Sequence, residues 1–377
     1  MVERGAGGQP VGPEPEATLS PAFSPADAVD LIIVNWNGRQ HLERCLPALA
    51  AQRLAPAQIL VADNASSDGS QAWLRETWPR VRLLELEANL GFAEANNRAI
   101  RASRSPWVAL LNNDTLPEPG WLEALLDAAR GQPRVGSVAS CMLFLEDPGM
   151  VQSAGIALDP TGIAWDRLGG AAADRAAEPG GVFGASAGAA LYRRAALEDV
   201  AEPDAEGRPS VFDPDFFMYL EDVDLAWRLR LRGWTSVYAP AARVLHQGSA
   251  SSGEGSPFKN RLLARNKVWT LVKDYPGRPF LLRLPLILAY DLASAPYRLI
   301  VQGQTAAFAG RLAALSGLGA ALAKRRRIQA RRRATWSELR AAMSPLEAPW
   351  AVLARYAHLS GRREAGPARP EPGEPRA

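Results

Sequence analysis

Four short clusters carry side chains whose type and spacing suit chemistry. Asn112-Asn113-Asp114 follows the apolar run Trp107–Leu111. A carboxylate directly after a buried strand is placed to hold a divalent cation against a diphosphate, because Mg2+ and Mn2+ prefer carboxylate oxygens and keep open positions for phosphate. The same residues serve equally to cap a turn. Asp63 opens Asn64-Ala65-Ser66-Ser67-Asp68-Gly69, where a carboxylate can accept hydrogen bonds from a nucleobase or ribose while Ser66, Ser67 or Asp68 caps the next helix. Glu221, Asp222 and Asp224 crowd a helix start, which favours the macrodipole. Beside Phe216-Phe217-Met218 such a carboxylate is also able to take a proton from an attacking hydroxyl. His246, one of 3 His, ends a short strand and opens a Gly/Ser loop, 247–256, which suits a ligand as well as a structural histidine.

The elements that must position these residues alternate. Leu31–Val34, Ile59–Ala62, Val81–Leu86 and Trp107–Leu111 read as buried strands. Helical spacing lies between them, with Leu42, Cys45, Leu46 and Leu49 on one face, then Ser70–Trp78 and Phe92–Ser103. Strand and helix in alternation with short links predict an α/β fold, a mostly parallel sheet with helices on both faces. Ligands of such sheets sit at the carboxyl ends of the strands, and those ends carry Asn35, Asp63 and Asp114. Further on, Trp121–Ala129 reads as a helix, Val135–Leu145 as a strand and 152–170 as a hairpin. Glu221–Leu231 is helical, Ser236–Ala239 and Arg243–His246 are short strands, and a helix spans about Pro257–Lys273.

Composition narrows the class. The 377 residues are 47% apolar and 22% charged, which excludes a disordered chain and a collagen. Two Cys exclude a disulfide scaffold, and Cys45 and Cys141, in apolar surroundings, read as buried thiols of a reducing compartment. A net charge of +3 gives no field for nucleic acid, so no nucleic-acid partner is expected. Neither G-x-G-x-x-G nor a P-loop is present, which disfavours dinucleotide oxidoreductases and P-loop NTPases, and the missing G-x-S-x-G disfavours an α/β-hydrolase.

Taken in order, the motifs resemble the family 2 glycosyltransferases of GT-A fold, in the branch similar to bacterial rhamnosyltransferases of cell-surface polysaccharide assembly. The matching stretches include Ile32–Gly38, Val61–Ser70, Asn89–Ala93, Leu111–Thr115, Gln152–Gly155, Phe216–Leu225 and His246–Ser249. The resemblance implies a hexosyltransferase, in that branch a rhamnosyltransferase. It would move a sugar, with inversion, from a nucleoside-diphosphate sugar to a glycan or lipid-linked acceptor, with Mg2+ or Mn2+. It implies that Asp222 is the general base, with Glu221 or Asp224 orienting it or the acceptor, and that Asp114 and His246 meet the metal. Asn35, Asp63, Asn64, Asp68, Gly91, Asn112, Gly188 and Arg265 are assigned to the donor. Asn112 stands where the family's D-x-D has its first Asp, a departure that implies either weaker metal binding or binding mainly through Asp114 and His246. The Q-x-x-R-W motif of processive members is missing, which argues for single-sugar transfer. A nucleotidyltransferase would show a Gly-rich basic loop after the first strand, where this chain has Asn35-Trp36-Asn37-Gly38; a non-catalytic membrane-associated scaffold would not need Asp114, Asp222 and His246 intact.

The organisation expected is a disordered lead over residues 1–29, a GT-A domain over 30–275, a helical extension over 276–362 and a disordered tail over 363–377. No uncharged stretch of the extension reaches the roughly 18–20 residues that span a bilayer. Its broken apolar helices and its basic residues, Lys324–Arg327 and Arg331–Arg333, suit a membrane surface, and a soluble helical subdomain is the alternative. The lead has no apolar signal core. The expected location is therefore the cytoplasm, at the inner face of the cell membrane.

Overall fold

The computed structural model describes residues 25–248, 256–296 and 305–347. Most of the Gly/Ser loop after His246, together with most of the expected lead, parts of the expected extension and the whole tail, lies outside the described residues.

The first half follows the alternation in the sequence: β1 (Val29–Asn35), α1 (Arg39–Ala50), β2 (Gln58–Asp63), α2 (Ser70–Thr77), β3 (Arg82–Glu85), α3 (Gly91–Ala102) and β4 (Trp107–Asn112). β1 is buried along nearly its whole length, as a strand covered on both faces must be. Its Leu31 and Ile33 pack with Leu42, Cys45 and Leu46 of α1 on one face, and its Ile32 with Ala95 and Ala99 of α3 on the other. Parallel pairing sets Asn35 opposite Asp63, and Val34 opposite Asn112. The three polar strand ends therefore meet along one edge of the sheet.

The second half completes the sheet. β5 (Thr115–Pro117), α4 (Trp121–Ala129), β6 (Val135–Phe144) and β7 (Val151–Ser153) come first. The expected hairpin follows as β8 (Ile156–Leu158) and β9 (Ala164–Asp166). After β10 (Gly180–Gly181), β11 (Ala189–Arg193) and α5 (Arg194–Val200) come a small ribbon of β12 (Glu202–Pro203) and β13 (Pro209–Ser210), then α6 (Glu221–Leu231) and β14 (Thr235–His246). The order is β10-β14-β6-β11-β4-β1-β2-β3, with β5 on β14 and β7 on β6. β11 runs antiparallel to both neighbours, while β6 and β14 run parallel to each other, so the sheet is mostly parallel among its long strands. The two short strands expected before His246 are one strand, β14, with an irregular register between Ala239 and Arg243. Pro240, which has no amide hydrogen to donate, sits at that break. The pairing of β14 with β5 seats His246 opposite Thr115, next to Asp114.

The C-terminal helices are α7 (Pro257–Asp274), α8 (Gly277–Pro296), α9 (Ala306–Ser316), α10 (Leu318–Ala330) and α11 (Trp336–Ala341). The boundary expected at residue 275 is no break in packing. Tyr275 is fully buried, with ring centroids 5.3 Å from Trp227 of α6 and 5.4 Å from Trp336 of α11. Ile328 and Leu339 join the same apolar cluster as Val223 and Trp227. Much of the basic cluster expected at a membrane is instead used by the fold. Lys324 bonds Asp213 and Asp215, Arg325 donates to the Val272 and Tyr275 carbonyls, and Arg327 and Arg331 pair with Glu202. These guanidinium and ammonium groups find carboxylates and carbonyls within reach, and a half-buried charge takes such partners.

The outer side of α8 is unusual for a helix facing water. Positions 278, 281, 282, 285, 286 and 289 are exposed at helical spacing, and all but Arg278 are apolar. Leu281 and Leu282 are 67% and 72% exposed, whereas Ile287 faces inward at 4%. Among the described residues no single helix is long and apolar enough to cross a membrane.

Candidate functional site

The strand ends build a hydrogen-bonded floor. Asn35 Nδ2 donates to Asp63 Oδ2 at 2.9 Å and to Ser66 Oγ at 3.2 Å, while its Oδ1 accepts from Asn113 Nδ2 at 2.8 Å. Asp63 Oδ1 accepts from the Ser66 amide at 2.8 Å and from Gln71 Nε2 at 2.7 Å. Asp63 is thus fully buried and shapes the loop above it, rather than offering an open carboxylate. Asn64 bridges to the next element, accepting from the Leu90 amide and donating to the Gly91 carbonyl, both at 3.2 Å. Trp36, at the rim of this floor, is 36% exposed.

Two residues expected at the donor have partners within the protein. Asp68 accepts from the Arg39 amide at 2.8 Å and from the Ser70 amide at 3.1 Å, so it ties together the starts of α1 and α2. Burial pushes its carboxyl up, but hydrogen bonds from Ser70 and Arg39 outweigh this and hold it low. Arg265 donates to the Asp215 and Phe216 carbonyls at 3.0 and 2.9 Å and lies over the Trp269 ring. Both of those bonds come from Nη2, and Nε donates to Asn266 Oδ1 at 2.9 Å, so its described partners lie within the protein. The glycines are explained by the protein's own packing. A Cβ at Gly91, φ +80°, would meet Phe217 at 2.5 Å, and one at Gly188 would press the Asn112 amide at 3.2 Å.

At the end of β4, His246 Nε2 lies 3.1 Å from Asp114 Oδ1 and 3.3 Å from Asn112 Nδ2. Its Nδ1 lies 2.5 Å from Gln152 Oε1. A carbonyl oxygen accepts, so Nδ1 carries the proton, and Nε2 then turns a lone pair toward Asp114. Two lone-pair atoms at that separation call for a cation or a proton between them. Burial pushes the Asp114 carboxyl up, but with a proton on Nε2 the His246 ring, by charge and hydrogen bond, outweighs it and keeps Asp114 ionised. One carboxylate and one imidazole fit a Mn2+-type cation that keeps open positions for phosphate. Among the described residues no group of three or more His, Cys, Asp or Glu side chains is placed to hold a metal. Gln152 received no role from the sequence. Its only signal was its place in Gln152–Gly155, because its partner is reached through the β6–β7 pairing.

Asp222 stands on the other side of the same edge. Its Oδ2 accepts from the Ala187 amide at 3.2 Å and its Oδ1 from the Val223 amide at 2.8 Å. Burial raises its carboxyl to about 6, and the charge of Asp166 adds to this, against those two amides. Glu221 is pushed well above the usual range by burial and by the charge of Asp222, and its Oε2 has no hydrogen-bond partner among the described residues. The charge of Asp222 disfavours ionisation of Glu221, so the two carboxyls titrate as a coupled pair. Asp224 serves the fold: it is fully buried, with Arg228 Nη2 at 2.7 Å and Lys273 Nζ at 2.5 Å.

The segment before α6 is strained. Phe217, Tyr219 and Leu220 have φ of 63°, 70° and 63°, a region that side chains with a Cβ adopt at a cost. Asn266 of α7, fully buried, holds it. Its Nδ2 faces the carbonyls of Phe216, Met218 and Tyr219 at 3.1, 3.0 and 2.7 Å. This clamp aims the first turn of α6 and so places Asp222.

Comparison with known proteins agrees with this arrangement. Residues 30–201 match the family model for glycosyl transferase family 2. The N-acetylglucosaminyl-diphospho-decaprenol L-rhamnosyltransferase of Mycobacterium tuberculosis (strain CDC 1551 / Oshkosh) is 34% identical over 252 residues, covering 60% of this chain and 78% of that protein. The succinoglycan biosynthesis protein ExoO of Rhizobium meliloti (strain 1021) is 29% identical over 110 residues, 29% of this chain and 32% of its own. The crystal structure of GalNAc-T7 with UDP, GalNAc and Mn2+ superposes with a TM-score of 0.52 at 15% identity, over 65% of this chain and 48% of that one, a likeness of fold alone. The chain belongs to glycosyltransferase family 2 and is a glycosyltransferase of GT-A fold.

Proposed function

We propose that this glycosyltransferase moves a single sugar, with inversion, from a nucleoside-diphosphate sugar to a hydroxyl of a lipid-linked or glycan acceptor at the cytoplasmic face of a membrane. The observation that carries the reading is the Asp222 carboxyl, half-buried, raised to about 6 and oriented by two backbone amides. At pH 7 such a group is about nine-tenths ionised, yet basic enough to accept a proton.

Asp222 removes the proton from the acceptor hydroxyl as that oxygen bonds to the anomeric carbon from the face opposite the diphosphate. The bond from that carbon to the diphosphate breaks, and the nucleoside diphosphate leaves with the electron pair. Asp114 and His246 would hold the divalent cation, with Asn112 and Gln152 fixing the imidazole. That cation supplies Lewis-acid neutralisation of the departing diphosphate, an effect of several kcal/mol. Asn35, Asp63 and Asn64 form the floor for the nucleoside, with Trp36 at its rim as a stacking surface. Gly91 and Gly188 contribute by letting Phe217 and Asn112 pack closely around that space, and Asp68 and Arg265 hold the loops at its edges.

The mycobacterial relative's name joins a rhamnosyl transfer to a lipid-diphosphate acceptor, which supports the same substrate class here. The apolar stripe of α8 supports docking at the surface where such an acceptor lies. Incubating the protein with Mn2+ and a panel of nucleotide sugars, and following release of nucleoside diphosphate, tests the reading. Release from at least one donor is expected; release from none contradicts it.

A further inference from the structure

Between the start of α8 and the end of α10 lies a cleft of ≈ 420 Å³, lined by Arg278, Arg325, Arg326 and Arg332 with Gly277 and Gln329. Four guanidiniums share this space, and no carboxylate lines it. Arg325 is fixed by its Nη1, which donates to the Val272 carbonyl at 2.6 Å and the Tyr275 carbonyl at 2.8 Å. Its Nη2 lies against Gly277, 3.3 Å from where a Cβ there would stand. The side chains of Arg278, Arg326 and Arg332 make no hydrogen bond to protein and no ion pair among the described residues. Their neighbours Lys324, Arg327 and Arg331 do. The basic segment is thus divided: one part is consumed by the fold, and the other converges on a cavity.

Like charges gathered this way repel, and a phosphate group, accepting from several guanidiniums at once, turns that repulsion into binding. The amides of Gly277 and Arg278 at the start of the 20-residue helix α8 add the positive end of its dipole at the same place, Pro279 having no N–H and Phe280 bonding the Pro276 carbonyl. Arg278 also begins the exposed stripe that continues through Leu281, Leu282, Pro285 and Leu286. A phosphate in the cleft therefore has an apolar surface beside it.

We propose that this cleft seats the phosphate headgroup of an anionic phospholipid, with the leucines of α8 lying at the acyl boundary beside it. The proposal rests on the membrane-surface part of the reading above and does not depend on the glycosyl-transfer chemistry. It commits to a lipid headgroup because the charge and the apolar stripe are continuous.

The full chain is sedimented with vesicles of phosphatidylcholine alone, and of phosphatidylcholine mixed with phosphatidylglycerol. A basic residue at an anionic surface is worth about five-fold in partitioning. The joint variant Arg326→Ser and Arg332→Ser is therefore expected to lose about thirty-fold on the anionic vesicles, with no change on neutral ones. Leu282→Ser with Leu286→Ser is expected to weaken binding to both. Arg44→Ser with Arg80→Ser, the same charge change at exposed sites outside the cleft, is expected to bind as wild type. If the cleft variant binds anionic vesicles like wild type, or the outside pair loses as much, the cleft assignment is overturned while membrane docking stands. If wild type binds no vesicle, docking and cleft both fall, and donor hydrolysis judges the enzymatic reading separately. If inorganic phosphate stabilises wild type but not the cleft variant, and vesicle binding is the same for both, the occupant is free phosphate and the headgroup proposal is overturned.

Discussion

The Asp222 carboxylate accepts the Ala187 amide at 3.2 Å, and the next carbonyl, Gly188, accepts the Asn112 amide at 2.8 Å. One peptide segment thus joins the candidate base to the strand that bears Asn112 and Asp114. Asn112 Nδ2 then reaches His246 at 3.3 Å. The proposed base and the proposed metal pair, joined by one backbone segment, would keep their relative positions while substrates come and go, and fixed reacting groups account for much of catalysis.

The raised carboxyl of Asp222 sets the acid limb of activity. A base must be deprotonated, so kcat/KM should hold above pH 7 and fall about tenfold per pH unit well below 6. A profile flat down to pH 4.5 would show that a carboxyl of ordinary acidity does the work.

Gln152 should tune the metal pair without touching metal. Gln152→Leu removes the acceptor for His246 Nδ1, and losing such a partner typically weakens metal affinity about 10–100-fold. Calorimetry with Mn2+ alone reads this directly, with Asp114→Ala as the reference for full loss. Unchanged affinity in Gln152→Leu, in a protein that still melts cooperatively, would separate Gln152 from the site.

Much of this was legible because buried strands announce themselves. The runs ending at Asn35, Asp63 and Asn112 are apolar and β-branched, and parallel pairing brings their ends together. The resemblance of motifs then pointed to Asp222 ahead of Asp224, and the structure adds a reason, since Asp224 is locked to Arg228 and Lys273. What could not be read depended on contacts with no periodic signal. Lys324 meets Asp213 across 111 positions, and Arg265 meets Phe216 across 49. A basic run looks the same in sequence whether its charges face lipid, carboxylates or a cleft. Gln152 lay inside a quoted motif, but its partner is 94 positions away.

Asn266 should act on catalysis through the strained turn. Asn266→Ala removes the side-chain donor shared by three carbonyls, of which that of Phe216 keeps Arg265, and relaxes Phe217, Tyr219 and Leu220. A loss of about 1–3 kcal/mol of stability is expected. A fall in kcat larger than any rise in donor KM should accompany it, because the clamp aims Asp222 rather than the nucleoside floor. Equal kcat at a temperature where both proteins are folded would show that the turn holds its shape without the clamp.

Lys273, buried between Asp213 and Asp224, should matter for stability alone. Lys273→Met leaves two carboxylates under-compensated, although Lys324 and Arg228 still reach them. About 3 kcal/mol of destabilisation is expected in urea unfolding. A change below about 0.5 kcal/mol, the range of an ordinary surface substitution, would mean the remaining cations suffice.

The central claim is that Asp222 is the base, and Asp222→Asn measures it. The amide keeps the shape and its single oxygen can still accept the Val223 hydrogen, but its NH2 then faces the Ala187 amide and it cannot take a proton. Donor affinity by calorimetry should stay within about twofold of wild type, while transfer falls by the 10²–10⁴-fold typical of a lost general base. A variant that keeps more than about a tenth of wild-type turnover, well outside that range, with donor affinity unchanged would contradict the account.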